Sequence, residues 1–373
     1  MELTKYKIGE LIEIVDERNN LGIRDFYGIN IKKEFMPTVA NTEGLDETKY
    51  KVVRKNRFVY SGMQTGRDEC IRVSMYNGDA PILVSPAYTM FEVVATNVVN
   101  PLYFFIKFLS NEMDRYGAFC SDGSIRSNLD WDVFCDIELE LPPLPIQQKY
   151  VDVYNAMLEN QKNYERGLED LKLVCDAYID KLKHSKEKVP IGKFIVQIDN
   201  RNKKNCTYSF KGLSMDNYFI NSIADSNGLD FSNYKIVVPG EYGAVLMKVG
   251  RDGRLTIARN DSKENYLISP AYYTFKTIGI DSDYFMANVN RSEFERRGWF
   301  SCDTSARGSL SWEEFLGLSI PNADEREQEI VAELHNVLIL RTQINEKLKA
   351  QIKDICPILI KGSIEEARKA KEA

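Results

Sequence analysis

The sequence is short of the residues that most chemistry needs. Only two histidines occur, His184 and His335, in dissimilar surroundings, so a hinge or helix-surface role is expected of each rather than an acid, base or metal-ligand role. No Walker loop, H-E-x-x-H or G-x-S-x-G motif is present, and GRDGR (250–254) lacks the spacing of a dinucleotide fingerprint. The seven cysteines (70, 120, 135, 175, 206, 302 and 356) form no C-x-x-C pair. They are expected to be small buried apolar residues in a reducing compartment. No run approaches the ~18 apolar residues of a membrane helix, and the N-terminus carries no basic-then-apolar leader, so a cytoplasmic protein without membrane contact is expected. An excess of positive charge is missing too. With 55 acidic against 49 basic residues the net charge is −6 and the pI about 5.4, which taken alone argues against nucleic acid.

What the sequence has is a duplication. IGELIEIVDERN (8–19) returns as IGKFIVQIDNRN (191–202), and YKVV at 50 returns as YKIV at 234. SPAYTMF at 85 matches SPAYYTF at 269, and FCSDGSIRSNLDWDVF (119–134) matches FSCDTSARGSLSWEEF (300–315), pairing Arg126 with Arg307 and Trp131 with Trp312. The spacing stays between 181 and 184 residues across these blocks, as small loop insertions in one tandem repeat would leave it. A length of 373 residues gives each copy room for its own core.

Each copy mixes short β-type runs with turns. FVYSGM, ILVSPAYTMFEVV and DIELELP favour strands, whereas NPLYFFIKFLSNEMDRYG (100–117) reads as one amphipathic helix ending at Gly117. A proline stop then leads into a long heptad pattern. Tyr150, Tyr154, Met157, Gln161, Tyr164, Leu168, Leu171, Cys175, Tyr178 and Leu182 follow a 4,3 spacing, as do Ile330, Leu334, Val337, Arg341, Ile344, Leu348, Gln351 and Ile355. Such stripes must be buried, and the nearest partner for each is the equivalent helix of the other repeat. The expected fold is therefore α+β, with two duplicated globular domains separated by a pair of long antiparallel coiled-coil helices in a pseudo-two-fold arrangement. The expected bounds are domains at 1–145 and 187–325, with helices at 146–186 and 326–373. Gln161 and Arg341 interrupt the two seams at matching places and are candidates for setting register or meeting a partner. A helix of this kind, at ~1.5 Å per residue, is roughly 55 Å long, a length that suits two separated DNA half-sites.

The candidate binding chemistry lies in the repeated phrase MQTGRDECIRVS (63–74) and MKVGRDGRLTIA (247–258). Arg or Lys can pair with guanine O6/N7, Gln with adenine N6/N7, and Asp can accept from cytosine N4. Gln64, Arg67, Asp68 and Arg72 in the first copy, and Lys248, Arg251, Asp252 and Arg254 in the second, are the candidates, joined by Arg126 and Arg307 from the SDGSIR and CDTSAR loops. A surface turn whose Arg and Asp merely pair would look the same in sequence. The runs KVVRKNR (51–57) and KVGRDGRLTIAR (248–259) are locally dense in cations. The SPAY tetrapeptides faintly resemble the Asn/Asp-Pro-Pro-Tyr motif of amino-methylating DNA methyltransferases, but Ala replaces the second Pro and Ser the polar residue. They read as turns into an aromatic strand.

An α+β domain, then LPPLPIQQKYV (141–151) opening a long helix, then the same order again with IPNADEREQEIV (320–331), resembles the specificity subunit of type I restriction-modification enzymes over essentially the whole chain. The resemblance implies two target recognition domains, each reading one half of a bipartite duplex DNA target. It implies helices that dock two methyltransferase subunits, with a restriction or translocase subunit able to join. No catalysis or cofactor is then expected of this chain, S-adenosylmethionine and ATP belonging to partner subunits. In the second copy ADERE stands where the first has PLPIQ, a departure from the pattern at the start of the second helix. A scaffold that binds proteins through the coil and the duplicated domains, without DNA, is the competing reading, and the acidic pI favours it.

Overall fold

The computed structural model describes residues 3–222, 230–247, 249–303 and 308–372. It forms two compact units, one comprising Met1–Asn163 with Asn345–Ala373 and the other Tyr164–Ile344. Each unit contains one sheet-rich domain and a stretch of each long helix, Leu144–Ser185 and Glu325–Glu372.

Among the described residues the two domains repeat one topology. In the first, a two-stranded ribbon pairs Thr4–Lys7 with Glu138–Leu141, the two ends of the domain. One four-stranded sheet takes the order Ile12–Ile14, Thr89–Val93, Phe58–Ser61, Arg72–Met75, and a second takes Phe35–Pro37, Phe26–Ile29, Ile82–Val84, Lys51–Val53. In the second domain, Lys188–Pro190 pairs with Ser319–Pro321, and the sheets run Ile195–Ile198, Tyr273–Thr277, Tyr242–Val245, Thr256–Arg259 and Phe219–Asn221, Ser209–Leu213, Tyr266–Ile268, Lys235–Val237. Even the single parallel pair of each domain falls at the same place.

The aromatic residues of the repeat explain why both copies fold alike. Phe58 stacks on Phe91 at 5.0 Å and meets Phe104 edge-on at 5.4 Å, while Trp131 lies 5.6 Å from Phe91. Tyr242, Phe275, Phe285 and Trp312 reproduce the set, with centroids at 4.9, 5.5 and 6.1 Å. Rings so arranged combine large apolar burial with favourable quadrupole contacts. The SPAY tetrapeptides are turns, as expected: Tyr88 N–H donates to Ser85 O and Tyr272 N–H to Ser269 O, both at 3.1 Å, ahead of the aromatic strands.

The segment 100–117 is two helices rather than one, Pro101–Phe108 and Asn111–Cys120. Ser110 breaks it by capping the second helix, its hydroxyl accepting from Met113 N–H at 3.3 Å. Gly117 lies inside that second helix, where a Cβ would sit 2.3 Å from Ile71; it is a packing glycine and not a stop. The first helix starts on Asn100, whose Oδ1 accepts from Leu102 and Tyr103 N–H, with proline in the first turn. Asp281 does the same for Ser282–Val289.

Where each domain runs into its long helix, one glutamine forms the joint. Gln147 is fully buried; its Oε1 accepts from Asn100 N–H at 2.9 Å and its Nε2 donates to Val98 O and Pro142 O. Gln328 accepts from Asp281 N–H at 2.8 Å and donates to Ala323 O at 2.9 Å. The second copy therefore keeps the working residue of the motif despite its ADERE substitution.

Within each unit the helix stretches run antiparallel. In the first unit Lys149 pairs with Glu366, and Gln161 with Asn345; in the second, Tyr164 faces Arg341 and Lys186 pairs with Glu327. The first helix buries or half-buries every seam position expected of it. The second does not. Val337, Arg341 and Gln351 are exposed, and the buried stripe is Val331, His335, Asn345, Ile352, Cys356 and Leu359, one residue later. Ile330, Val331 and Ala332 are consecutive apolar residues, so spacing alone could not fix the phase. Gln161 is buried as a seam residue, its Nε2 donating to Asn345 Oδ1 at 3.1 Å, so the polar register pair is Gln161–Asn345. Arg341 instead lies on the outside, its guanidinium 5.8 Å from the Tyr164 ring.

All seven cysteines are free thiols, and Cys70, Cys175 and Cys356 are buried. His335 is buried rather than on the helix surface, with no hydrogen-bond partner on Nε2. Burial holds its pKa below the ordinary 6.5, with Arg259 acting in the same direction and Asp283 and Asp261 against it. The unfolded chain thus binds a proton that the folded chain refuses, so the histidine's contribution is complete above about pH 6.5 and is lost as pH falls. The urea midpoint of the wild type is expected to drop below pH 6.5 more steeply than that of His335→Gln, by up to about 1.4 kcal/mol per pH unit. Parallel pH profiles for the two would dismiss this role.

Candidate nucleic-acid interface

The Gly-Arg-Asp phrase is neither a strand nor a simple hairpin turn. Thr65–Asp68 and Val249–Asp252 are single helical turns bridging the two strands that follow each other in the first sheet. The glycine is required by a close approach. Gly66 N–H donates to Ser127 O at 3.0 Å and Gly250 N–H to Gly308 O at 2.7 Å. A Cβ on Gly66 would lie 2.0 Å from Ser127 Oγ, and one on Gly250 2.9 Å from Gly308 Cα. Ser127 and Gly308 both hold left-handed φ, 49° and 57°. The repeated phrase is thus the brace that fixes the loop 121–128, and its counterpart around Gly308, against the sheet. Leu129 N–H to Gly62 O and Leu310 N–H to Leu246 O, at 2.8 and 2.9 Å, complete it.

The first-copy candidates lie on the helical turn, at the start of the strand after it and on the loop it braces. Gln64 is half-buried in a left-handed conformation, its backbone N–H donating to Asn128 Oδ1 at 3.1 Å. Arg67 is exposed, with Nε 3.5 Å from Asp68, and Arg126 is exposed on the braced loop. Asp68 and Arg72 form an ion pair with each other, both side chains largely covered. That pair belongs to the scaffold. In the second copy Arg251 is exposed with Nε 2.7 Å from Asp252, and Arg254 reaches Glu295 at 3.2 Å. Lys248 and Arg307 lie outside the described residues.

A third element, which sequence reading passed over, meets these loops. The tip of the hairpin joining Phe26–Ile29 to Phe35–Pro37 touches the segment after the helical turn, Cys70 Sγ donating to Ile31 O at 3.1 Å. Lys33 is buried there. Its ammonium donates to Phe108 O and, at 2.6 Å, to Asp114, while Asp114 also accepts from Ile71 N–H at 3.0 Å. In the second copy Asn217 takes the same place, accepting from Ile257 N–H and donating to Asn290, both at 2.9 Å. The first domain therefore gathers three loops from distant parts of its sequence around the Gly-Arg-Asp turn.

The cation-dense runs are less available than their composition suggests. Arg54 and Arg57 pair with Glu17, Arg57 also with Glu92, and Lys55 with Asp79. Arg259 is held by Asp261 and Asp283. Arg18 and Arg201 cap carbonyls of Lys49 and Asn233 and pair with Asp16 and Asp199, so the first repeated arginine is structural in both copies.

Among the described residues the chain is thus a duplicated α+β domain, each copy followed by a long helix. Solved structures similar to this chain include type I restriction-modification S subunits. The one from M. genitalium aligns with a TM-score of 0.51 at 11% identity, covering 98% of this chain and 96% of its own. The HsdS subunit from Thermoanaerobacter tengcongensis aligns at 0.38 and 13%, with 97% and 96% covered. A structure described as the basis of complex assembly and conformational transition of the type I R-M system aligns at 0.45 and 13%, with 98% and 97% covered. No protein-family model and no curated protein matches the sequence. Among the described residues no helix is long and apolar enough to cross a membrane.

Proposed function

We propose that the chain is a specificity subunit of a type I restriction-modification system, with recognition domains at 1–145 and 187–325 each contacting one half of a bipartite duplex target. The helices 146–186 and 326–373 are the docking sites for two methyltransferase subunits, which bring S-adenosylmethionine and the catalytic groups; ATP belongs to a restriction subunit where one joins. The observation that carries this reading is the duplicated domain-plus-helix fold, matched over nearly the full length by the M. genitalium S subunit. The arrangement supports it: around a shared brace the exposed Lys32 and Glu69 of the first copy are Asp216 and Gly253 in the second, as two different half-sites require.

Arg67 and Arg251 are the same residue at the same place in both domains, so they suit phosphates, which carry no sequence information. Arg67→Ala and Arg251→Ala are each expected to weaken duplex binding alike for all sequences and to lower the slope of log K against log salt by about 1. A changed sequence preference, or an unchanged slope, would remove them from this role. The neutralised cation runs favour the second reading, a protein scaffold without DNA. A shift assay on random duplex with bound partner subunits decides between the two, since a scaffold gives no shift.

A further inference from the structure

We propose that the hairpin tips 30–33 and 214–217 are the elements that choose bases, with Lys32 reading one half-site and Asp216 the other; this rests on the DNA-recognition reading above. The two tips are one turn built twice. Lys33 N–H donates to Asn30 O and Asn217 N–H to Ser214 O, each at 3.0 Å, and the closing bonds Asn30 N–H to Glu34 O and Ser214 N–H to Tyr218 O measure 3.0 and 2.9 Å. Lys33 and Asn217 hold left-handed φ of 64° and 63°. Their inward side chains pin the tips, Lys33 to the two helices at Phe108 and Asp114, and Asn217 to Asn290 at a helix end and to Ile257 in the strand after the Gly-Arg-Asp turn. That anchoring sets the position of the two residues before them.

Those two residues point outward and differ. Ile31 and Met215 are 60% and 57% exposed apolar side chains. Lys32 and Asp216 are exposed, opposite in charge, and unpaired among the described residues. Lysine has donors and no acceptor, whereas an ionised aspartate has acceptors and no donor, so one backbone frame presents opposite hydrogen-bonding faces. Lys32 fits the O6/N7 acceptors of guanine and Asp216 the N4 donor of cytosine. Asp216 is the telling member, because a phosphodiester offers no donor to a carboxylate. A tip carrying it engages DNA through base edges. Ile31 and Met215 supply the apolar neighbour that suits a thymine methyl.

The test uses the full chain, tagged and purified from its own cells with the polypeptides that stay bound, to select sequences from a randomised duplex pool. The wild type is expected to return a two-part motif. Asp216→Asn is expected to relax one position of one half-site by roughly 10- to 100-fold, and Lys32→Asp one position of the other half, each leaving the remaining half intact. A wild-type motif that both variants reproduce unchanged overturns the assignment of the tips. Uniform weakening without a change of motif makes Lys32 a phosphate contact and overturns it equally. If the wild type itself returns no motif, the DNA-recognition reading fails first and the proposal with it.

Discussion

Asp114→Ala is expected to cost about 3–5 kcal/mol of folding stability, because it strands a buried cation. Lys33 is 5% exposed, and its ammonium has two acceptors, Phe108 O and Asp114. Asp114 also accepts the N–H of Ile71, so the alanine leaves two donors unmatched. Urea unfolding followed by tryptophan fluorescence would read the loss, since Trp131 packs against the core of the same domain. Pairing Lys33→Met with Asp114→Leu removes both charges together and should recover much of the cost. A single-variant loss under about 1 kcal/mol would mean that the ammonium reaches water, and the bracket would lose its importance.

Gln147→Leu should destabilise by about 3 kcal/mol or more, and Gln328→Leu by about 1 kcal/mol. Leucine leaves Asn100 N–H, Val98 O and Pro142 O without their partner, and the cost of an unmet buried group is about 1–3 kcal/mol. Gln147 is fully buried, so water cannot substitute, whereas Gln328 is half-exposed and bonds to fewer groups. The ordering of the two unfolding midpoints is the measurement. Equal losses would show that burial of the joint does not set its energy.

Much of this architecture is legible in the sequence because a duplicated sequence repeats its constraints. The matched tryptophans, Trp131 and Trp312, fall in equivalent aromatic clusters, and the proline stops fall beside the two long helices. What escapes is whatever depends on phase or on long-range pairing. The second helix seam is displaced by one residue because three adjacent apolar side chains allow either phase. Arg72 reads as a DNA contact beside its glycine turn, but Asp68 turns it inward. The partners of the acidic position on the second short helix swap as well. Asp114 takes Lys33 from the hairpin tip, and the equivalent Glu295 takes Arg254 from the segment after the helical turn. The tips make their contacts about forty residues on, Ile31 with Cys70 and Asn217 with Ile257, so no local pattern connects them.

The division of the chain into units has a consequence for synthesis. The second unit is one uninterrupted stretch, Tyr164–Ile344, whereas the first waits for Asn345–Ala373. Ile352, Cys356 and Leu359 belong to the core of the first unit, and Ser363 Oγ shares a buried hydrogen bond of 2.7 Å with Tyr103. On the ribosome, the domain translated first is therefore the last to be completed. Its N-terminal part stands with an open apolar flank while nearly two hundred residues are still to come, and a chain truncated after Ile344 forfeits the first unit while leaving the second whole.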